Sequence, residues 1–156
     1  MNIEMIISGG QTGADRGGLD AAIACGIPHG GWCPAGRRAE DGAIPPCYRL
    51  RETYSSSYLV RTEKNVKSSQ GTVILTLGEL RGGSARTADY ARMYQRPWLH
   101  LRLAGMHPAL AAAELAAFAA AHGIVSLNVA GSRESGEPGI HQAVQQVMMF
   151  FLKGGI

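Results

Sequence analysis

The sequence predicts an α/β protein, a three-layer α/β/α sandwich with a mainly parallel sheet. Three observations carry this expectation. Short apolar runs alternate with longer stretches of helical periodicity along the chain. The runs are continuous rather than alternating, as in strands covered on both faces. Four glycine-bearing loops, Ser8–Asp15, Ala35–Arg38, Gly82–Thr87 and Gly131–Gly136, are each placed after a strand and before a helix. In a parallel sheet all such loops would share the edge outside the carboxyl ends of the strands.

Met5-Ile6-Ile7 forms the first expected strand. A helix from about Ala14 to Cys25 follows, with Leu19, Ala22 and Ile23 on one face and Gly26 as its stop. Gly17 and Gly18 lie inside that helix, where each costs about 1 kcal/mol relative to Ala. Close backbone approach, to the sheet or to a ligand, is the simplest reason to keep them. The second strand falls within His29–Cys33, ending at Pro34. Residues 35–57 carry prolines and little periodicity and are expected as a long excursion, functional or mobile. Thr62–Ser69 predicts a short helix, and Thr72–Thr76 a strand. Ser84 is the expected N-cap of a helix running to about Gln95. Trp98–Leu103 is the fourth strand. Pro108 opens an Ala-rich helix that Gly123 ends, and Ile124–Ala130 is the fifth strand. Ile140, Val144, Val147, Met148 and Phe151 give the last helix one buried stripe. No repeat or linker interrupts this order, so residues 1–156 are expected to form one domain.

The 156 residues carry a net charge of +3 without a basic run or arm, which disfavours nucleic acid as a partner. Cys25, Cys33 and Cys47 lack paired spacing and point to a reducing cytoplasm rather than a disulfide framework. The apolar stretch 109–121 contains Glu114 and is too short to span a bilayer, so no membrane association is expected. Cys25, His29 and Cys33 are evenly spaced, but Gly26 and Pro28 break any shared helix, and no protein-bound metal is predicted. Neither a G-x-S-x-G elbow nor a Cys–His pairing supports nucleophilic catalysis.

The loops carry the chemistry. Ser8-x-Gly10-x-x-Gly13 is a variant of the dinucleotide fingerprint, but no carboxylate ends the second strand to bind a ribose. Arg37 and Arg38 stand there instead. They either face an anion or pair with Glu40 and Asp41 on the surface. Gly9, Gly10, Gln11, Thr12 and Gly13 would offer amides and a hydroxyl at a helix N-terminus. Asp15 would cap that helix, hold Arg16 or bind a ligand hydroxyl. Gly82, Gly83 and Ser84 form a second N-terminal anion site, with Thr87 adding a hydroxyl. Arg86 lies in a first turn, where a cation is disfavoured unless an anion or a carboxylate such as Glu79 or Asp89 is near. Ser132 and Arg133 follow the fifth strand, with Glu134 and Glu137 able to neutralise the arginine locally. Arg61 and Asn65 share one helix face, turned to the site or to solvent.

Several blocks together resemble the molybdenum cofactor carrier family. They are Ile7–Arg16, Gly31–Pro34, Arg37–Gly42, Arg61–Val66, Gly82–Asp89, and Asn128–Arg133 with Pro138-Gly139-Ile140. The match covers nearly the whole chain. That family is similar to a wider Rossmann-like group containing phosphoribohydrolases, once named lysine decarboxylases, and the DNA-processing protein A domain. The resemblance implies a Rossmann-like fold, a homo-oligomer (dimer or tetramer), and a small phosphorylated ligand, either molybdenum cofactor or a nucleotide. The phosphoribohydrolases carry P-G-G-x-G-T-x-x-E. Here the corresponding stretch, Arg81–Asp89, lacks the Pro and the central Gly and ends in Asp, which argues against turnover. The expected function is therefore binding, as a carrier or store. A nucleoside-monophosphate phosphoribohydrolase using Asp89 and Arg86, or a nucleotide sensor without turnover, is the alternative.

Overall fold

All but one of the main-sheet strands feed a glycine-bearing turn and then a helix, and the handedness of those crossovers sets the layers. The computed structural model describes residues 2–154. β1 (Met5–Ile7) leads into α1 (Ala14–Ala24), which returns to β2 (His29–Gly30). The excursion holds β3 (Trp32–Cys33), a single 3₁₀ turn (Ala35–Arg37), β4 (Arg38–Ala39), β5 (Gly42–Ala43) and β6 (Arg51–Glu52). Then follow α2 (Tyr58–Ser68), β7 (Gly71–Thr76), α3 (Gly82–Met93) and β8 (Trp98–Arg102). α4 (Pro108–His122), β9 (Ser126–Gly131) and α5 (Ile140–Leu152) complete the chain.

The main sheet has five parallel strands in the order β2-β1-β9-β7-β8. The fold is a Rossmann-like three-layer sandwich. α1 and α4 pack against α5 on one face, and α2 packs against α3 on the other. Chain direction explains this division. Connections toward β2 and those toward β8 must lie on opposite faces if each crossover is right-handed. Ile6, Val73, Leu75, Leu127 and Val129 of the sheet bury against Leu115, Ile140, Val144 and Met148.

Gly17 and Gly18 are explained by packing. A Cβ at Gly17 would lie 2.6 Å from the His141 carbonyl oxygen, and one at Gly18 would lie 2.7 Å from Val129 Cγ1. The two glycines let α1 press onto α5 and β9 at once.

The expected second strand is split. The Gly31 backbone passes against Ser8, and Asn65 clamps the next residue. Its Oδ1 accepts the Trp32 N–H at 2.8 Å, and its Nδ2 donates to the Trp32 carbonyl at 2.9 Å. β3 is thereby led off the main sheet to pair with β6. Asn65 thus serves the fold. The excursion is ordered around its own small core of Leu19, Cys33, Ala39, Ile44 and Tyr48, with Leu50 against it. Arg37 holds it from within. Its Nε donates to Ile44 O at 3.0 Å, and its Nη2 donates to Pro45 O at 2.8 Å and Tyr48 O at 2.7 Å.

Two helix starts differ from expectation. α2 begins four residues early because the Ser57 hydroxyl accepts the Leu59 N–H and caps it there. α3 begins at Gly82, so Ser84 lies inside its first turn and Arg81 occupies the N-cap without a capping side-chain bond.

Gly17→Ala should lower stability by about 1–2 kcal/mol, because the clash with a helix backbone outweighs the propensity gain of about 1 kcal/mol. Urea denaturation at neutral pH measures it, and a stabilised variant would contradict the packing argument.

Candidate functional site

Loops after β1 and β9 turn to the α1/α5 face, while the loop after β7 turns to the α3 face. A crevice opens where they part, at the carboxyl end of the sheet. It is a cleft of about 320 Å³. Gln11 and Asp15 line it from the first glycine loop and α1, Arg61 and Thr62 from α2, and Tyr58 from the start of α2. Arg81, Gly82, Gly83, Ser84 and Thr87 line it from α3, and Ser132, Arg133 and Glu137 from the loop after β9.

The first and last glycine loops touch because Gly13 has no side chain. It sits at φ +84°, and a Cβ there would lie 2.3 Å from Ser132 O. The Ala14 N–H donates to that same oxygen at 3.0 Å, and the Glu134 N–H donates to Thr12 Oγ1 at 3.1 Å.

Carboxylates of the chain itself occupy much of the backbone N–H surface around the cleft. Asp15 Oδ2 accepts the Gln11 N–H at 3.1 Å. Glu134 accepts the N–H groups of Gly139 at 2.7 Å and His141 at 3.0 Å, at the start of α5. Glu137 accepts those of Leu77 and Gly78, both at 2.8 Å, and the Ser132 hydroxyl. α3 is different. Its first-turn amides have no intrahelical acceptor and no capping side chain, and Gly82, Gly83 and Ser84 all face the cleft. That terminus keeps its backbone N–H groups open, the arrangement that suits an anion.

Two donors beside it lack acceptors. Gln11 is 6% exposed. Its Oε1 accepts from the Thr12 N–H at 3.0 Å and the Glu40 N–H at 2.9 Å, which fixes the amide's orientation and leaves Nε2 without a partner. The Arg61 guanidinium lies over Gly9, where a Cβ would come within 2.8 Å of Nη1. Its Nη1 donates to Thr62 Oγ1 at 3.1 Å and stands 3.7 Å from Asp15 Oδ2, while Nε has no acceptor. A buried donor left unmatched costs about 1–3 kcal/mol. The guanidiniums of Arg38, Arg133 and Arg61 lie 4.3, 5.5 and 5.6 Å from the centre of the Tyr58 ring.

The carboxylates are tuned in opposite directions. Burial raises Asp15, and Arg61 and the Gln11 N–H offset this only in part. Burial also pushes Glu137 upward, but the Ser132 hydroxyl, the two amides and Arg81 outweigh it and hold the carboxyl below its ordinary range. Glu40 is likewise lowered overall, by the Ser135 and Thr12 hydroxyls acting against its desolvation.

Of the residues singled out in sequence, Gln11, Gly82, Gly83, Ser84, Thr87, Ser132 and Arg133 meet in the cleft. The Ala35–Arg38 loop does not join them. It precedes a hairpin rather than a helix, because Arg37 is engaged with three carbonyls and Arg38 donates to Ser56 O. Neither arginine pairs with Glu40 or Asp41. Arg16 holds Asp41, at 2.7 Å from Nη1 and 2.8 Å from Nη2, and Arg133 stands 4.0 Å from Glu40. Gly9 lies beneath Arg61, Gly10 packs on Ile44 and Leu50, and the Thr12 hydroxyl donates to Glu40. Arg86 and Asp89 are exposed on the outer side of α3, where Asp89 pairs with Arg92. Among the described residues no group of three or more His, Cys, Asp or Glu side chains is placed to hold a metal ion. No helix among them is long and apolar enough to cross a membrane.

Tyr58, Arg81 and Glu137 also line the cleft and were not expected as ligand contacts, whereas for Asp15 and Arg61 a ligand was one of the alternatives the sequence offered. The shared helix face of Arg61 and Asn65 was the available signal for Arg61.

The sequence model of the circularly permutated YpsA SLOG family matches residues 6–152. A crystal structure of a protein from Syntrophus aciditrophicus, named as a molybdenum carrier, superposes with a TM-score of 0.93 at 47% identity. The match covers 96% of this chain and 95% of that one. No curated protein matches the sequence.

Glu137→Gln should cost about 1–2 kcal/mol at pH 7, since an amide cannot accept both N–H groups and the hydroxyl. The wild-type carboxyl is depressed in the fold, so its contribution is present above the ordinary glutamate range. It is lost as pH falls through the lowered value. Urea titrations of both proteins at pH 7 and in acid should therefore converge at the acid end. A constant gap would show that the charge plays no part.

Proposed function

The chain belongs to the circularly permutated YpsA SLOG family, and we propose that its cleft binds a small phosphorylated molecule of the pterin or nucleotide class, with molybdenum cofactor the leading candidate. The protein would act as a carrier or store. The observation that carries this proposal is the uncapped start of α3, opening beside the buried, unpartnered amide of Gln11. The phosphate would sit on the amides of Gly83 and Ser84, with Arg81 and Arg133 supplying charge and Ser84 supplying a hydroxyl. The heterocycle would lie toward Asp15, Gln11 and Arg61.

The donor set fits such a ligand. It offers amides and guanidiniums at one end and a mixed donor–acceptor pocket at the other. Molybdenum would travel as cargo on the cofactor's own sulfur atoms. The relative's name supports the choice of cofactor, since that protein is called a molybdenum carrier at 47% identity. Binding without turnover is favoured because the cleft carboxylates are already engaged with backbone and arginine. Asp89, on which a hydrolytic role was expected to rest, points away.

Titration calorimetry with molybdopterin and a panel of nucleoside monophosphates tests the proposal. At least one phosphorylated ligand should bind, and Gly83→Pro should weaken it about tenfold by removing one phosphate-facing N–H. Proline is tolerated in a helix's first turn, so the melting temperature should barely move. Absence of binding by every phosphorylated ligand would overturn it.

A further inference from the structure

We infer that the deep end of the cleft selects a ring that presents a carbonyl beside a ring N–H and an amino group, the 2-amino-4-oxopyrimidine edge shared by guanine and pterin, over the amino-substituted ring of adenine. This rests on the phosphate-binding role proposed above and specifies the heterocycle at the other end.

The argument is a count of donors and lone pairs. Gln11 is 6% exposed, and its Oε1 already accepts two N–H groups, so Nε2 is committed to facing the other way as an unmatched donor. Arg61 Nε is a second unmatched donor. Asp15, 4% exposed, touches both residues: its Oδ2 takes the Gln11 backbone N–H at 3.1 Å and lies 3.7 Å from Arg61 Nη1. The deep end thus holds two donors needing acceptors and a carboxylate able to accept more.

A ring carbonyl oxygen has two lone pairs and can satisfy both donors. The ring N–H and exocyclic amine beside it can donate to Asp15. Adenine presents one ring-nitrogen lone pair and, in place of the oxygen, an amino group whose hydrogens would meet Gln11 or Arg61. One buried donor then stays unmatched. Sites built to hydrogen-bond a specific group reject analogues lacking it far more strongly than apolar pockets reject a missing methylene. The carbonyl and the phosphate would be read at different places, by Gln11 and Arg61 in the first case and by the start of α3 in the second. Ring selectivity and phosphate affinity are therefore separable.

The test is calorimetric titration of the full chain with GMP, IMP and AMP at one ionic strength, repeated on Asp15→Asn. GMP should bind about tenfold or more tighter than AMP, with IMP between because it keeps the carbonyl and loses the amine. Asp15→Asn should weaken GMP about tenfold while changing AMP by less than about threefold. Equal or tighter binding of AMP would overturn the inference, and so would an unchanged GMP/AMP ratio in the variant. In both cases the phosphate-binding proposal stands. If none of the three binds, the ring inference falls, and the molybdopterin titration decides the phosphate-binding proposal. Should Asp15→Asn not fold, the wild-type ratio alone decides.

Discussion

The site depends on where β9 is inserted. The last strand of the chain lies between β1 and β7, in the middle of the sheet. That placement joins the loop after β9 to the loop after β1 on one face, and sets both against the loop after β7, which turns the other way. The inserted strand is held at every level. Met5–Ile7 and Gly71–Leu75 pair with it in parallel register, Ser8 Oγ donates to Val129 O at 2.8 Å, and Gly18 lets α1 settle on Val129. A parallel strand buried on both sides tolerates little displacement. The cleft inherits that rigidity, since Ser132 and Arg133 follow directly from β9.

Within this frame the protein places its own anions on most of the amides that the turns expose. Asp15, Glu134 and Glu137 each take backbone N–H groups, and Glu40 takes the Ser135 N–H and the hydroxyls of Ser135 and Thr12. The turns would otherwise hold several competing anion sites. With these filled, the start of α3 remains open, one oriented set of amides rather than a smear of weak ones. The same carboxylates fasten the loops to one another. Glu137 ties the loop after β9 to the loop after β7, and Glu40 ties the excursion to both loops of the opposite face.

The strands, the helices and the shared edge of three glycine loops were legible because they rest on local signals: continuous apolar runs, glycine stops and helical periodicity. The excursion was not. Its order comes from Arg37 reaching three carbonyls and from Asn65 gripping Trp32 across the fold, and neither bond leaves a periodic trace. Helical phase would have corrected one expectation. Ser84, Thr87, Ala88 and Ala91 recur at offsets of three, four and seven, which is the inward stripe of α3. Arg86 and Asp89 lie off that stripe, so a motif match along Arg81–Asp89 assigned to the ligand two residues that the helix turns outward. Arg61 was half legible, since its shared face with Asn65 is visible in sequence but its fit over Gly9 is not.

The deep end of the cleft departs from what stability alone would select. A fold optimised for itself would pair Gln11 Nε2 and Arg61 Nε, or replace them with apolar groups, and would not bury Asp15 where its carboxyl is pushed upward. The cost is localised. A few residues away, Asn65 satisfies both of its polar ends on Trp32, and Arg37 makes three hydrogen bonds to carbonyls. The sequence can therefore build complete polar networks, and the incomplete one coincides with the crevice at the topological switch of the sheet. Violations of local consistency that cluster at one site, while the surroundings obey it, are the mark of selection for something other than the fold. The missing acceptors are best supplied from outside the chain.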